Sequence, residues 1–273
     1  MPKLTVYHTE WATYDRQHQI ADLPIAQIPC LSYAFVTVTE QGDVKVMDPY
    51  ATLEKRFTDK GVLPLDTWHD TLPYYGNLNQ LRKLKDQHAF HLTLAIGGWT
   101  GSKWFSSAMR HADRLCESIK QFCELYDIFD GISFDWEFLT NDGTNCGCEG
   151  NEAEVGDADR FVLFLKLFKK VMPQMSISFC APAVPSRILF DVRAIDSVVD
   201  EWHLMTYDFH DYSWGDKVCC FHTNLHPVPY APLSVSEAVD AYIHHGATPD
   251  KIHIGAVTYS RGFSGTNGPG HPV

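Results

Sequence analysis

The feature that most constrains this fold is a regular alternation of short β-rich segments with amphipathic helical segments. Seven segments have strand character: residues 4–11, 30–38, 91–99, 131–138, 175–182, 201–209 and 251–259. Several are apolar on both faces, as strands buried in a parallel sheet must be. Helical segments lie between them at 106–127, 158–171 and 235–246, the last ending at Gly246. This alternation predicts an α/β fold built from βα units around a parallel sheet.

Two architectures fit such units, a closed barrel and an open doubly wound sheet. The open sheet would require a glycine-rich nucleotide-binding turn of defined spacing. The glycine-rich turn of this chain, IGGWT at 96–100, lacks that spacing. We therefore predict a (β/α)8 TIM barrel, with seven of its eight strands evident in this chain.

Composition excludes two classes of partner. The chain has 273 residues and a net charge of −12, so its surface repels phosphate backbones and anionic lipid. Nucleic acid and membrane surfaces are therefore not expected partners. No apolar run approaches the about 20 residues of a membrane span, and no secretory signal is visible at the N-terminus.

Polar and aromatic residues gather at the predicted carboxyl ends of the strands, where barrel active sites lie. These residues are Glu10, Trp11, Trp99, Asp135, Glu137, Tyr207, Asp208, Tyr259 and Arg261. Strand ends are polar wherever a chain leaves the core, but such groups on four or more strands are hard to explain by packing. We therefore predict a functional site at this face.

Residues 130–138, DGISFDWEF, place two acids on one strand. Alternate side chains of a strand share a face, so Ser133, Asp135 and Glu137 point the same way. With about 6–7 Å between their Cβ atoms, one carboxyl should stay protonated beside its ionised partner. Such a pair suits cleavage of a glycosidic bond. A metal site would need further ligands, for which Ser133 is a poor substitute, and a buried acid pair bonded to the backbone is the other alternative.

DGISFDWEF resembles the D-G-x-D-x-D-x-E signature of family 18 glycoside hydrolases. Other segments agree in order: YHTEWATYDR resembles the family's opening strand, LAIGGWT its S-x-G-G strand, LMTYDFH its M-x-Y-D strand and VTYSRGF its Y-G-R strand. The similarity covers essentially the whole chain. It is closest to bacterial exo-type chitinases, because of the segments MDPYATLE and YYGNLNQL and the ending FSGTNG.

This resemblance implies hydrolysis of β-1,4-linked N-acetylglucosamine in chitin or chitooligosaccharides, outside the cell and without a metal or organic cofactor. Glu137 would protonate the glycosidic oxygen, while the substrate's own acetamide oxygen attacks the anomeric carbon. Asp135 would orient the acetamide, and Tyr207 would hydrogen-bond its oxygen. Asp208 would contact the sugar and the surroundings of the acid, and Arg261 would help to bind the sugar nearest the cut. Retention of configuration follows.

Several aromatic residues are candidate sugar platforms, because pyranose C–H groups pack on aromatic rings. Trp99 is favoured because it follows a Gly-Gly pair at a strand end. Trp68 lies in the long segment after strand 2, which helps to wall the cleft in related exo-type enzymes. Weaker candidates are Trp11, Trp104 and Trp214, and the predicted substrate-binding set also includes Ser133 and Tyr259.

Three positions depart from the family pattern. Ser133 replaces the middle aspartate, which in the family shares a proton with the equivalent of Asp135. A serine can donate a hydrogen bond to Asp135 but cannot accept a full proton, so we expect slower turnover and a shifted pH profile. Ala95 replaces the serine of the S-x-G-G strand, which we interpret as a packing change. Asp211 stands where the family often has glycine, which predicts a different loop after strand 6.

The eighth strand of the family barrel is not evident between Tyr259 and Val273. An open seven-stranded barrel would expose the edges of its first and last strands. We therefore interpret residues 1–273 as a single catalytic barrel domain truncated after strand 7, with a further polypeptide segment or subunit expected to complete it.

Two alternatives to a chitinase remain at this point. One is an endo-β-N-acetylglucosaminidase acting on N-glycans, against which the exo-type segments argue. The other is a catalytically impaired carbohydrate-binding protein or structural subunit. Inactive relatives usually lose the acid, so the presence of Glu137 argues against it.

Eight cysteines fall into two groups. Cys146 and Cys148 follow strand 4, Cys219 and Cys220 follow strand 6, and both loops open on the same face. The sequence is compatible with a disulfide between these pairs, with free thiols, or with a zinc site that adds His222. The spacings of these cysteines are not those of common zinc sites. The expected core cysteines are Cys30, Cys116, Cys123 and Cys180.

Overall fold

Seven parallel strands and one antiparallel strand form a single sheet in the computed structural model, which describes residues 3–69, 71–211 and 215–273. The strands are β1 (Thr5–Thr9), β2 (Cys30–Val38), β3 (Val44–Val46), β4 (His91–Gly97), β5 (Gly131–Asp135), β6 (Ser176–Pro182), β7 (Glu201–Met205) and β8 (Ile252–Ile254). The parallel strands are ordered β1-β2-β4-β5-β6-β7-β8, and β3 pairs with β2 as a hairpin. The predicted α/β barrel with seven evident strands is confirmed.

Helices cover the outer face of this sheet. They are α1 (Gly76–Gln87), α2 (Phe105–Arg110), α3 (Ala112–Tyr126), α4 (Asp157–Val171), α5 (Val192–Asp196) and α6 (Val235–His244). Shorter helical turns span Glu10–Thr13, Ile20–Asp22, Ile25–Gln27, Tyr50–Glu54, Pro185–Arg187 and Pro249–Lys251. None of the helices in the described part of the chain is long and apolar enough to cross a membrane.

The structure differs from the sequence-based prediction in several details, including helix α1 and strand β3, which were not predicted. The predicted helix at 106–127 is two helices, because His111 leaves the helical conformation at φ −113° and ψ 41°. The last two strands are shorter than predicted. β7 ends at Met205, where Tyr207 N–H donates to the Met205 carbonyl at 2.8 Å, and β8 ends at Ile254.

The two faces of the strands differ in chemistry. Along β5, Ile132 and Phe134 point outward, and Phe134 packs edge-to-face on Phe161 and Phe164 of α4 at 5.7 and 5.5 Å. The inner face is lined by small polar groups, and four of their buried hydroxyls accept or donate no hydrogen bond within the described residues: those of Thr5, Ser32, Thr93 and Ser178. The lumen of this barrel is therefore polar, rather than filled with the branched apolar side chains usual for the fold.

The sheet is open between its first and last strands. In the described ranges, β1 pairs only with β2 and β8 pairs only with β7. Both strands therefore keep an edge without a partner strand. That residues 1–273 form one catalytic domain stays a prediction.

Candidate active site

Asp135 and Glu137 lie at the carboxyl end of β5 and belong to the row of side chains that the sequence predicts. Asp135 is the buried last residue of the strand, and Glu137 follows it with partial exposure. Burial raises the pKa of Asp135, against the effect of a contact with the Cys180 thiol. Burial and then the negative charge of Asp135 raise the pKa of Glu137 further. Glu137 is therefore the proton carrier of the pair near neutral pH.

One oxygen of Asp135 lacks a partner. Its Oδ1 atom is buried and accepts no hydrogen bond from any group in the described part of the chain. A buried acceptor left unpaired costs about 1–3 kcal/mol. A ligand N–H group that reached this oxygen would remove that cost.

Ser102 fixes the backbone on which the two acids stand. Its Oγ accepts the N–H of Glu137 at 2.9 Å and lies 2.8 Å from the Gly98 carbonyl and 3.1 Å from the Asp135 carbonyl. Gly97, at φ +115°, allows this close approach, since a Cβ there would lie 2.1 Å from the Asp135 carbonyl oxygen. The ends of β4 and β5 are thus held together without occupying the lumen.

The loop after β5 supports Glu137 from the other side. Asn151 donates from Nδ2 to the Glu137 carbonyl at 2.9 Å. Gly147 packs directly on the same carbonyl, since a Cβ at this position would lie 2.0 Å from its oxygen. Sequence reasoning missed Ser102 and Asn151, because their partners are backbone groups distant in the sequence.

Ser133 belongs to a cluster of hydroxyl and thiol groups beneath Asp135, in which Ser133 and Cys180 are buried and Tyr7 is 38% exposed. The Tyr7 hydroxyl lies 3.0 Å from Ser133 Oγ and 3.2 Å from Cys180 Sγ, and the latter two atoms are 3.5 Å apart. Burial raises the pKa of both Tyr7 and Cys180 far above their ordinary values. All three groups therefore keep their protons over the usual pH range.

Strand register explains how this cluster forms. Ser133 pairs with Ser178 of β6, so Cys180 lies beside Asp135 on the lumen face, and Tyr7 reaches them from β1. Ala95 of β4 pairs directly with Ser133, so the small residue noted in the sequence borders the cluster. Cys180 is buried, as predicted for a core residue, but it faces polar groups. The alternation in SISFCAP, which places Ser176, Ser178 and Cys180 on one face, is the signal that could have indicated this.

Tyr207 lies just after β7 with its ring largely buried. Burial raises its pKa well above the ordinary value, and the fields of Cys180, Asp135 and Glu137 add to this effect. Gly255 makes room for the ring, because a Cβ there would lie 2.6 Å from Tyr207 Cε1. The Tyr207 hydroxyl is thus a neutral hydrogen-bond donor, and the negative charges of both acids favour its protonated form.

Asp208 and Arg261 form an ion pair at the same end of the barrel. Arg261 Nε donates to Asp208 Oδ1 at 2.7 Å, and its Nη1 donates to Asp211 Oδ2. Asp208 has a left-handed backbone at φ +57°, and its N–H donates to His222 Nδ1 at 3.4 Å. Asp211, noted above as a departure from glycine, thus provides the second carboxylate for the guanidinium.

Three of the predicted substrate-binding residues present partly exposed rings. Trp99 is 49% exposed and meets Phe138 edge-to-face at 6.4 Å. Trp11 is 46% exposed and stacks on Phe35 at 6.2 Å. Tyr259, also 46% exposed, stacks on His222 at 5.4 Å, and this contact joins it to the Asp208 group.

The other tryptophans have different surroundings. Trp68 is 76% exposed, and the Arg56 guanidinium lies 5.7 Å from its ring centroid. Trp104 packs against the hydrophobic core. Trp214 lies outside the described residues. Within the described ranges, no hydrogen bond or ring contact joins Trp68 directly to Asp135, Glu137, Tyr207, Asp208 or Arg261.

Glu10 lies apart from this site despite its position at a strand end. It is buried in the turn after β1, where Thr52 donates to its Oε2 at 3.0 Å and Asn77 donates to its carbonyl at 3.3 Å. Burial raises the pKa of Glu10 to about 7. We interpret it as part of a structural network.

The eight cysteines are free thiols. The disulfide considered between the loops after β5 and β7 is therefore wrong for this structure. Cys220 instead donates from Sγ to the Tyr230 carbonyl at 3.2 Å. Among the described residues, no group of metal-ligating side chains includes these cysteines or His222.

Comparison with known proteins matches this chain to one family. The model of glycosyl hydrolases family 18 covers residues 3–272. Endochitinase 1 of Metarhizium robertsii is 30% identical over 98% of this chain and 62% of its own length. Chitinase 1 of Aphanocladium album is 30% identical over 98% of this chain and 63% of its own. The chain therefore spans somewhat less than two thirds of the length of these curated relatives.

Structural comparison agrees with the sequence match. The catalytic domain of the psychrophilic chitinase B from Arthrobacter TAD20 superimposes with a TM-score of 0.85 at 25% identity, over 99% of this chain and 75% of that one. The motifs, the seven parallel strands and the family model thus lead to the same conclusion. The chain belongs to glycosyl hydrolase family 18.

Proposed function

We propose that this chain hydrolyses β-1,4-linked N-acetylglucosamine in chitin or chitooligosaccharides, with retention of configuration and with Glu137 as the general acid. The observation that carries the proposal is the acid pair at the end of β5. The pKa of Glu137 is raised beyond that of Asp135, and Asp135 Oδ1 lacks a donor among the described residues. Relatives named chitinases support the choice of substrate.

In the first step, the protonated Glu137 gives its proton to the glycosidic oxygen, and the bond from that oxygen to the anomeric carbon breaks. The acetamide oxygen of the same sugar attacks the anomeric carbon and forms a cyclic oxazolinium ion. Asp135 accepts the acetamide N–H at Oδ1 and stabilises the developing positive charge. Tyr207 donates its hydroxyl to the acetamide oxygen and so orients it.

In the second step, the Glu137 carboxylate takes a proton from water, and the water oxygen bonds to the anomeric carbon. The ring of the oxazolinium ion opens, and Glu137 is protonated again for the next cycle. Because the anomeric carbon is attacked twice, its configuration is retained. This mechanism needs no metal or organic cofactor.

The remaining residues bind and position the sugar. Arg261, held by Asp208 and Asp211, presents its guanidinium beside the reacting sugar. Trp99, Trp11 and Tyr259 offer exposed ring faces to pyranose C–H groups, and Trp68, which is 76% exposed, is a further candidate platform. Ser133 stabilises Asp135 through the neutral cluster with Tyr7 and Cys180, in place of the proton-sharing aspartate of the family. We also propose that the protein acts outside the cell, where polymeric chitin is accessible.

The open sheet is the observation that favours a second candidate, a carbohydrate-binding or structural subunit that requires another segment for activity. Hydrolysis of chitooligosaccharides by the purified chain distinguishes the two. We expect cleavage by the wild type and a loss of at least about 10³-fold in kcat for Glu137→Gln.

The matched control is Glu117→Gln on the outer surface of α3, which should keep full activity. Undiminished cleavage by Glu137→Gln would remove Glu137 from the role of acid. Binding of the oligosaccharide without any cleavage by the wild type would favour the second candidate.

A further inference from the structure

A second group of chemically active side chains lies inside the barrel, on the last two strands. Glu201 and His203 are two positions apart on β7 and therefore share a face. His253 of β8 pairs in register with His203. All three side chains are only partly exposed, at 15%, 11% and 20%. The group is separate from the acids at the end of β5.

The distances within this group match those of a metal site. Glu201 Oε2 lies 3.0 Å from His203 Nε2 and 3.7 Å from His253 Nε2, and one ligand atom from each residue falls within 4.8 Å of the others. Ligands bound tetrahedrally to Zn²⁺ at about 2.1 Å are separated by about 3.4 Å. Small side-chain rotations would therefore bring the three atoms to coordinating distance.

One carboxylate oxygen of Glu201 is directed at the two imidazoles. Lys3 contacts the other oxygen of Glu201, Oε1, and leaves Oε2 to the imidazoles.

Tyr7 supplies the outer contact that metal-binding histidines usually have. Its hydroxyl lies 2.7 Å from His203 Nδ1, which fixes the ring and leaves Nε2 directed at Glu201. A simple hydrogen bond between Glu201 and His203 would account for these two residues. It would not account for His253, whose ring makes no hydrogen bond with any group in the described ranges of the chain.

We propose that Glu201, His203 and His253 form a Zn²⁺ site, with a water molecule as the fourth ligand. Two histidines and a carboxylate are a ligand set typical of zinc. The metal would link β8, an edge strand of three residues, to its neighbour β7. Zinc therefore stabilises the open side of the sheet and takes no part in the proposed hydrolysis.

Zinc titration of the full chain, after dialysis against a chelator, tests this site by calorimetry and by thermal unfolding. We expect one equivalent of Zn²⁺ to bind with a Kd below about 10 µM and to raise the Tm. His253→Ala and His253→Gln should each weaken binding by at least about tenfold and abolish the rise in Tm. Tyr7→Phe should weaken it by about tenfold through loss of the outer contact.

His245→Ala, which removes an exposed imidazole after α6, is the matched control and should bind zinc like the wild type. Co²⁺ substitution identifies the ligands independently: tetrahedral d–d bands without thiolate charge-transfer bands are expected. Binding that is absent, that survives both His253 substitutions, or that shows thiolate bands from the surface cysteines would overturn the proposal. These readouts do not use glycosidase activity, so failure of the proposed function would leave them intact.

Discussion

The hydroxyl of Tyr7 on β1 lies 3.0 Å from the hydroxyl of Ser133 on β5, across the lumen of the barrel. Ser133 stands where the resemblance to the family predicts an aspartate, beside the acid that we propose to orient the acetamide. Because Tyr7 and Ser133 are neutral, no carboxyl other than that of Glu137 can share a proton with Asp135 in this part of the site. Asp135 therefore lies above a neutral cluster, of which Cys180 contacts its carboxyl.

Restoring the missing carboxyl should change the pH dependence of catalysis. In Ser133→Asp, a like charge next to Asp135 raises the upper pKa of the pair. Activity requires ionised Asp135 and falls as pH decreases through its pKa, so the acid limb of kcat/KM should move to higher pH by about one unit. Ser133→Asn, which has the same size and no charge, is the control. Identical profiles for these two variants would contradict our interpretation of Ser133.

Cys180 should stabilise the ionised form of Asp135. Its thiol contact lowers the pKa of Asp135 against the effect of burial. Loss of this contact in Cys180→Ala should raise that pKa, so the acid limb of kcat/KM should again move to higher pH. Cys180→Ser keeps a donor and should restore the wild-type limb. Measurement of both pH profiles checks this, and an unshifted limb in Cys180→Ala would rule out a positioning role for the thiol.

Arg261 should not be replaceable by lysine. Its planar guanidinium donates from two nitrogens to Asp208 and Asp211, a geometry that a single ammonium cannot reproduce. We expect Arg261→Lys to lower kcat/KM by about tenfold, mainly through a higher KM. Steady-state kinetics on a chitooligosaccharide measures this effect. Wild-type kinetics for the lysine variant would show that charge alone is sufficient.

Trp99 should contribute binding energy rather than chemistry. Its ring is half-exposed, so a pyranose ring that stacked on it would gain binding energy from apolar contact. Trp99→Ala should therefore raise KM by about 2–10-fold with little change in kcat, and Trp99→Phe should lose less. A fall in kcat at constant KM would place Trp99 in the chemical step instead.

Much of the barrel could be predicted from the sequence, because strands of a covered parallel sheet are continuous apolar runs between helical segments. Helix α1 was missed since Leu78, Leu81 and Leu84 alternate with polar residues that are also buried. The position of the acid pair could be predicted from DGISFDWEF, because Asp135 and Glu137 alternate with apolar residues as in a strand and both carry carboxyl groups. Contacts across the lumen could not be predicted, since the register that brings Cys180 beside Asp135 depends on pairing between separate strands.

The paired ions and loop contacts were equally inaccessible from the sequence. Arg261 donates a hydrogen bond to Asp208, which is 53 residues away in the sequence. This contact depends on how the two loops fold, which the sequence does not reveal. The positions of Glu201, His203 and His253 follow from the register of β7 with β8. In each case residue type suggested a function, while the partner depended on tertiary structure.

In the proposed mechanism, the substrate's own acetamide acts as the nucleophile beside Glu137 and Asp135. Proton NMR of the first product released from a chitooligosaccharide tests it most directly, because the anomer is read before mutarotation. We expect the newly formed reducing end to appear initially as the β-anomer, as retention requires. Initial appearance of the α-anomer would show single displacement by water and would contradict this mechanism.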